Sequence, residues 1–156
     1  MRWIRRRGCG KRSGMNTQAR PRNFLMDPDQ QPPFSQFMGW TVTHVSRDRV
    51  TAEWLVTEQV SNRNGVLHGG AVMALADNLG GTAAVANLPE GGSTATIESK
   101  TNFCAAIPVG DVAKAECTPL QRGRSTTVWQ TKITRGDGKL AALVTQTQIV
   151  MLKKDG

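Results

Sequence analysis

The chain has 156 residues, of which 38% are hydrophobic, 21% charged and 5% aromatic, a composition typical of one globular domain. A domain of this size buries roughly two-thirds of its unfolded surface and needs no disulfide bonds for stability. The three cysteines match no C-x-x-C spacing, and two histidines are too few for a multi-histidine site. We therefore expect no disulfide framework, no metal site and no cofactor.

The net charge of +8 lies in the first part of the chain. Residues 1–22 contain eight basic and no acidic side chains, whereas the rest of the chain contains twelve of each. We expect residues 1–33 to form a basic, solvated extension without fixed structure, and residues 34–153 to form the domain. An arginine-rich transit peptide, and a segment that binds nucleic acid or an anionic surface, are the alternatives.

No apolar run approaches the roughly 18 residues that span a membrane, and no apolar segment typical of a secretory signal is present. The charge-balanced body offers no strongly basic face to nucleic acid. We expect a cytoplasmic protein with neither membrane nor nucleic-acid partners. A mitochondrial location is the alternative if the extension is a transit peptide.

The hydrophobic pattern becomes regular from Phe34 onward. Residues 40–45 and 49–57 have the composition of strands, and apolar and polar side chains alternate in the second. A turn at residues 46–48 predicts that the two form a hairpin. The run from Gly69 to about Asn87 is rich in Ala, Val, Met and Leu without alternation, which predicts a buried helix that ends before residues 88–92.

Four further strand-like runs follow, at residues 94–103, 112–119, 125–134 and 140–152. Asp137 and Gly138 form the tight turn that joins the last two. The element order is therefore two strands, one long apolar helix and four strands. Because no second helix is available to cover so long a sheet, we predict an α+β fold in which an antiparallel sheet curls around the helix.

Asp77 is a charged residue within this predicted helix, and no cation occurs between Arg63 and Lys100. An ionised carboxylate in such surroundings costs several kcal/mol unless it is hydrogen-bonded or lies in a wet cleft. A solvent-facing stripe of the helix is the alternative. Gly80 and Gly81 each cost roughly 1 kcal/mol in a helix interior, which favours instead the close approach of another backbone or a ligand.

His68, Gly69 and Gly70 stand at the predicted start of the helix, where bare backbone amides form a site for an anion or a carbonyl oxygen. His68 is either a structural hydrogen-bonding residue or a catalytic one. Nine residues separate it from Asp77, so the two side chains leave the helix on roughly opposite sides and cannot form a dyad there. No G-x-S-x-G motif indicates a nucleophilic serine, and a nucleophile triad is not expected.

Together these residues resemble a known family. The sequence has Asn62 six residues before His68, H-G-G at the helix start, L-A-D ending at Asp77, and T-I-E-S-K-T-N-F at residues 96–103. This pattern is similar to that of hotdog-fold acyl-CoA thioesterases of the phenylacetate-pathway type, and the resemblance covers about residues 35–152. It implies a long helix wrapped by an antiparallel sheet, in homodimers or homotetramers whose subunits pair edge to edge into one continuous sheet.

The resemblance also implies a role for each residue of the motif. Asp77 would activate the hydrolytic water or attack the thioester directly. The backbone N–H of Gly69 would polarise the thioester carbonyl, assisted by the Asn62 side chain, and Thr96 would help to place the water. His68 is included among the candidate catalytic residues. In that family these groups come from two subunits, so Gly69 of one chain would face Asp77 of the other.

The expected function is hydrolysis of an aryl, short-chain or medium-chain acyl-CoA, or of an acyl-carrier-protein thioester, to the free acid and the thiol. Gly70 offers the substrate a second helix-start amide. Arg122, Gly123 and Arg124 offer cations and an open backbone to the CoA phosphates or nucleotide, with a solvated turn as the alternative. Competing functions are a non-catalytic acyl-CoA-binding module, a hotdog dehydratase, and a nucleic-acid-binding protein that acts through its tail.

Overall fold

A computed structural model describes Leu25 and residues 27–152 of the chain. Two 3-10 turns, Pro28–Gln30 and Glu58–Val60, accompany the regular elements. In chain order the elements are α1 (Pro33–Met38), β1 (Thr41–Val45), β2 (Val50–Leu55), α2 (Gly69–Asn87), β3 (Ser93–Phe103), β4 (Val112–Arg122), β5 (Thr126–Thr134) and β6 (Leu140–Met151).

The six strands form one antiparallel sheet in the order β1-β2-β4-β5-β6-β3, and α2 contacts all of them. The alternation in β2 places Ala52 and Trp54 in the core, and the fully buried Trp129 and Leu75 belong to the same cluster. This arrangement confirms the prediction of a sheet curled around one long apolar helix. The predicted bounds of α2 and the turn at Gly138, where φ is +86°, are also those observed.

Strand β3 lies at the edge of the sheet and pairs only with β6 among the described strands. Thr96 stands opposite Gln148, and Ser99 stands opposite Gln146, with a bulge at Ile97 between these pairs. Directly opposite residues in an antiparallel pair share one face of the sheet. The register therefore brings Thr96, Gln146 and Gln148 together on one face.

The packed part of the chain begins before residue 34. Helix α1 starts at Pro33, the 3-10 turn Pro28–Gln30 precedes it, and Leu25 is buried. Helix α1 is not predictable from the sequence, because six residues are too few to display a helical period. The expectations for residues 1–24 and 26 lie outside the described residues. Among the helices that the structure describes, none has the length and apolarity needed to cross a membrane.

Candidate active site

The carboxylate of Asp77 is held by one of its two oxygens. Oδ1 accepts a hydrogen bond from Thr96 Oγ1 at 2.8 Å and another from Gln146 Nε2 at 2.8 Å. Oδ2 makes no hydrogen bond to any residue that the structure describes. The side chain is exposed in the single chain and also lines a groove, so both conditions under which a carboxylate is tolerated on an apolar helix are met.

The groove beside Asp77 has a volume of about 350 Å³. One wall is the side of α2 that carries Asn78, Gly81 and Val85, and the other is formed by the N-terminal segment with Leu25 and Pro32. A Cβ added at Gly81 would meet no atom within 4 Å. The absent side chain of Gly81 therefore keeps the space next to Asp77 open.

Gly80 has a different reason to be glycine. A Cβ at this position would collide with Oε1 of Gln146, which enters from β6 and approaches the helix backbone. A close approach does explain Gly80, but the expectation that a backbone or a ligand approaches is wrong there, because the approaching group is a side-chain amide from the sheet. Oε1 of Gln146 is buried without a hydrogen-bond partner among the described residues, which costs about 1–3 kcal/mol.

His68 caps α2 at its N-terminus. Its Nδ1 accepts a hydrogen bond from the backbone N–H of Gly70 at 2.9 Å. The expectation that the Gly70 amide is bare is therefore wrong, because the preceding histidine satisfies it. This contact also supports the structural alternative for His68. The N–H of Gly69 makes no hydrogen bond within the part of the chain that the structure describes.

Phe103 at the end of β3 covers the start of α2. Its ring lies so close that a Cβ on Gly69 would stand 3.3 Å from Cζ of the ring. The Phe103 side chain is itself 58% exposed. The helix-start amide of Gly69 therefore lies beside an exposed aromatic surface, and a larger residue at position 69 would have to displace the ring.

Asn62 uses one end of its side-chain amide to shape its own loop. Oδ1 accepts from the backbone N–H of Asn64 at 2.8 Å, and the backbone of Asn62 bonds Val66 and Gly65 across the same turn. Its Nδ2 makes no hydrogen bond to the described residues. The loop thus fixes the side chain and leaves a donor available.

Within one chain, the predicted residues near the start of α2 (Gly69 and Asn62) lie apart from the predicted pair Asp77 and Thr96. Gly69 begins α2 and Asp77 lies eight residues further along it, which corresponds to about 12 Å along the helix axis. Asp77 and Thr96 are in direct contact, and Asn62 lies in the loop that leads to the start of α2. An amide and a carboxylate so far apart cannot both contact one thioester group.

The Arg122 guanidinium binds the turn between β1 and β2. Its Nη2 pairs with Asp48 Oδ1 at 2.6 Å, it also donates to the carbonyl of Arg47, and its guanidinium lies 5.9 Å from the ring centroid of Trp129. Arg124 is exposed and lines, with Arg122, Gly123 and Arg47, a groove of about 330 Å³ with apolar walls. The three predicted residues therefore line one groove, in which Asp48 partly neutralises Arg122, and their role toward CoA stays a prediction.

Two further residues near Asp77, Gln146 and Gln148, lie outside every motif of the sequence. Both are 1% exposed, and they occupy inward positions of β6 that continue the apolar series of Ala142 and Val144. Two amides at alternate positions of a buried strand face were the available signal. In the described part of the chain, no cluster of three or more His, Cys, Asp or Glu side chains could hold a metal ion.

Comparison with known proteins places the chain among thioesterases. Residues 64–142 match the thioesterase superfamily. The fold superposes on that of a thioesterase from Haemophilus influenzae with a TM-score of 0.74 and 26% identity, covering 81% of this chain and 89% of the other.

Two sequence relatives carry names of thioester hydrolases. The 1,4-dihydroxy-2-naphthoyl-CoA hydrolase of Listeria monocytogenes is 28% identical over 117 residues, which are 75% of this chain and 94% of the relative. The proofreading thioesterase EntH of Cronobacter sakazakii is 29% identical over 104 residues, which are 67% of this chain and 75% of the relative. The phenylacetate-pathway type stays a prediction. The matched span and the sheet wrapped around α2 show that the chain belongs to the thioesterase superfamily of hotdog-fold hydrolases.

Proposed function

We propose that this protein hydrolyses acyl-CoA thioesters to the free acid and CoA, with Asp77 as general base or nucleophile. The observation that carries the proposal is the state of the Asp77 carboxylate: Oδ1 accepts hydrogen bonds from two donors, whereas Oδ2 is unbonded among the described residues, and the residue lines an open groove. A carboxylate that is fixed through one oxygen and has the other oxygen unbonded can accept a proton from water or attack a carbonyl carbon.

The start of α2 is the proposed site that polarises the thioester carbonyl. A thioester carbonyl gains negative charge on its oxygen during attack, and one oriented N–H donor contributes about 3 kcal/mol to stabilising that charge in comparable sites. The unbonded N–H of Gly69 at a helix N-terminus is suited to this task, and Nδ2 of Asn62 supplies a second donor nearby. No metal is needed for either step.

The separation of about 12 Å between Gly69 and Asp77 along α2 supports an active site shared between two subunits. The free edge of β3 gives a surface on which a second copy can pair, since an edge strand presents unpaired N–H and C=O groups. Antiparallel pairing of two β3 edges about a two-fold axis continues the sheet and keeps both copies of α2 on one side. The proposed enzyme is therefore a homodimer, or a homotetramer of such dimers.

The groove beside Asp77 is the proposed site for the acyl group. Its volume of about 350 Å³ and its apolar contribution from Leu25, Pro32 and Val85 are suited to an aryl or a short- to medium-chain acyl group. The groove around Arg47 and Arg124 is the proposed site for the CoA phosphates or nucleotide, because guanidinium groups bind phosphate through paired hydrogen bonds.

A panel of aryl-, short-chain and medium-chain acyl-CoA substrates, with a thiol-trapping reagent to detect released CoA, tests this proposal. Cys104 is an exposed free thiol that would react with the reagent, so the Cys104→Ser protein is the matched control for background signal. We expect turnover of at least one substrate class. Binding of acyl-CoA by the wild-type protein without release of CoA from any member of the panel would instead support a non-catalytic binding module.

A further inference from the structure

We propose that Gln146 and Gln148 of β6 are positioning residues for Asp77, and that they make Oδ2 the oxygen that acts on the substrate. This inference rests on the proposed thioesterase function. It concerns two side chains outside residues 64–142, the span that the family match covers. Both are buried on the inner face of the sheet, on the strand that pairs with β3.

Gln146 contacts Asp77 directly. Its Nε2 lies 2.8 Å from Oδ1 of the carboxylate, 3.4 Å from the backbone carbonyl oxygen of Asp77, and 3.0 Å from Oγ1 of Thr96. An amide nitrogen carries two hydrogens and accepts none. The geometry therefore gives Gln146 one role toward this carboxylate, that of a donor to Oδ1.

Gln148 acts one step further away. Its Nε2 donates to Thr96 Oγ1 at 2.8 Å, and its own carbonyl oxygen accepts from Thr94 Oγ1 at 3.1 Å. The Thr96 oxygen thus accepts from both glutamines, which uses both of its lone pairs. Its single hydrogen is left for Asp77 Oδ1, the acceptor 2.8 Å away.

Three side chains thus fix one oxygen of Asp77 and leave the other. Oδ1 receives two donors that rigid strands hold in place, and the carboxylate can then present Oδ2 to the groove in one orientation. Thr96 has no hydrogen-bonding capacity left in this arrangement. Its proposed part in the reaction changes accordingly, from placing the water to orienting the carboxylate.

Burial of these amides on the inner face of β6 costs free energy of folding. Gln146 is 1% exposed, its Oε1 has no partner in the described part of the chain, and Gly80 must lack a side chain to admit it. An apolar side chain of similar length would remove the unsatisfied oxygen. A role in orienting Asp77 explains why an amide stands there, whereas a role in stability alone does not.

Steady-state kinetics and thermal unfolding of Gln146→Met and Gln148→Met test the inference. We expect kcat to fall about tenfold or more in Gln146→Met and less in Gln148→Met, which reaches Asp77 only through Thr96. KM should stay within about twofold of the wild-type value, and Gln146→Met should unfold at no lower temperature than the wild type. Gln130→Met, on the neighbouring strand β5, is the matched control and should leave kcat unchanged.

The outcomes separate this inference from the proposed function. Wild-type activity that is lost in Asp77→Asn but kept in both glutamine variants would overturn the positioning role and leave the thioesterase function standing. Absence of wild-type turnover would overturn the function itself. If Gln146→Met does not fold at the assay temperature, Gln148→Met carries the test alone, and a kcat equal to that of Gln130→Met would overturn the inference.

Discussion

Asp77 is the only ionisable side chain in α2, and its surroundings come from three separate elements. The helix carries it, β3 and β6 hold Oδ1, and the N-terminal segment forms the opposite wall of the groove. A helix made almost wholly of small apolar residues therefore presents one carboxylate at a defined place. The chemical role of this residue is the first thing that substitution can test.

We expect Asp77→Asn to lower kcat by at least about a hundredfold while leaving the fold nearly intact. Asparagine keeps an oxygen that Thr96 and Gln146 can bond, so the contacts that hold position 77 survive, but a neutral amide is neither base nor nucleophile. Kinetics on the best substrate and thermal unfolding provide the two readouts. Retention of more than about a tenth of the wild-type rate would remove Asp77 from its proposed role.

The adjacent glycines of α2 should respond to alanine in opposite directions. Gly80→Ala collides with Gln146, and we expect it to lower the free energy of unfolding by about 1–3 kcal/mol and to reduce kcat. Gly81→Ala meets open space and should raise the free energy of unfolding by up to about 1 kcal/mol, because alanine favours the helix. Denaturant unfolding measures both. Equal effects of the two substitutions would contradict the packing described for Gly80.

Cys117 should make stability depend on pH in the alkaline range. Burial raises the pKa of its thiol to about 11, although a hydrogen bond with Thr131 lowers it in part. The folded state therefore keeps the proton longer than the unfolded state does. The stability from this group is complete below the unfolded pKa, near 9, and is lost as the pH rises toward 11.

The measurement is denaturant unfolding at several pH values between 9 and 11, for the wild type and for Cys117→Ala. We expect the free energy of unfolding to fall by about 2 kcal/mol more in the wild type over this range. The alanine variant removes the thiol and retains the other titrating groups, so it isolates the effect. Parallel pH profiles for the two proteins would show that Cys117 does not titrate as its burial implies.

At the scale of elements, the N-terminal segment belongs to the proposed acyl site. This segment lines the groove beside Asp77 with four residues, Leu25, Gln30, Gln31 and Pro32. A chain that starts at Met15 or Asn23 keeps this wall, and we expect it to retain activity and oligomeric state. A chain that starts at Pro33 lacks it, and KM for the best substrate should rise. Activity that is lost on truncation to Asn23 and restored by adding the basic segment back would show that this segment is functional.

The bounds of α2 can be predicted from the sequence, whereas the contacts that β6 makes with Asp77 cannot. The sequence predicts helix α2 at its observed bounds because a long apolar run lies between polar segments, and Asp77 is recognisable as a lone charge in that run. The positions of Gln146 and Gln148 relative to Asp77 depend on which strands adjoin β6 and on the register with β3. Those are tertiary facts, and no local pattern in the chain contains them.

The same distinction applies to the helix start. The H-G-G motif indicated that backbone amides would lie there, and the amide of Gly69 does lie unbonded to the described residues. The motif could not reveal that His68 turns its Nδ1 back onto Gly70, because the cap depends on a side-chain rotamer rather than on residue type. The proposed site for the carbonyl oxygen therefore has one unbonded backbone amide, that of Gly69, where the sequence alone implies two.

At the scale of the whole molecule, sharing of the site between subunits can be tested by complementation. Asp77→Asn and Asn62→Ala subunits should each be nearly inactive alone. In a freely exchanged mixture about half the dimers are mixed, and each mixed dimer holds one intact site and one doubly defective site. We expect activity to return to about a quarter of the wild-type value per site.

Native mass spectrometry should establish that exchange is complete before activity is compared. The control is a mixture in which both substitutions lie on the same chain and the partner is wild type, which contains the same residues in a different arrangement. If confirmed mixed dimers of the two single variants are no more active than the average of their parents, the model of a site shared between subunits is wrong.

The bulge at Ile97 has a further consequence for the free edge of the sheet. A long, regular edge strand can pair with almost any other extended chain, which is the first step toward aggregation. The extra residue between Thr96 and Glu98 interrupts the regular spacing of hydrogen-bonding groups along β3 and increases its local twist. Among the described strands the outer edge of β3 is unpaired, and this interruption makes it a poor template for the indefinite stacking that produces fibrils.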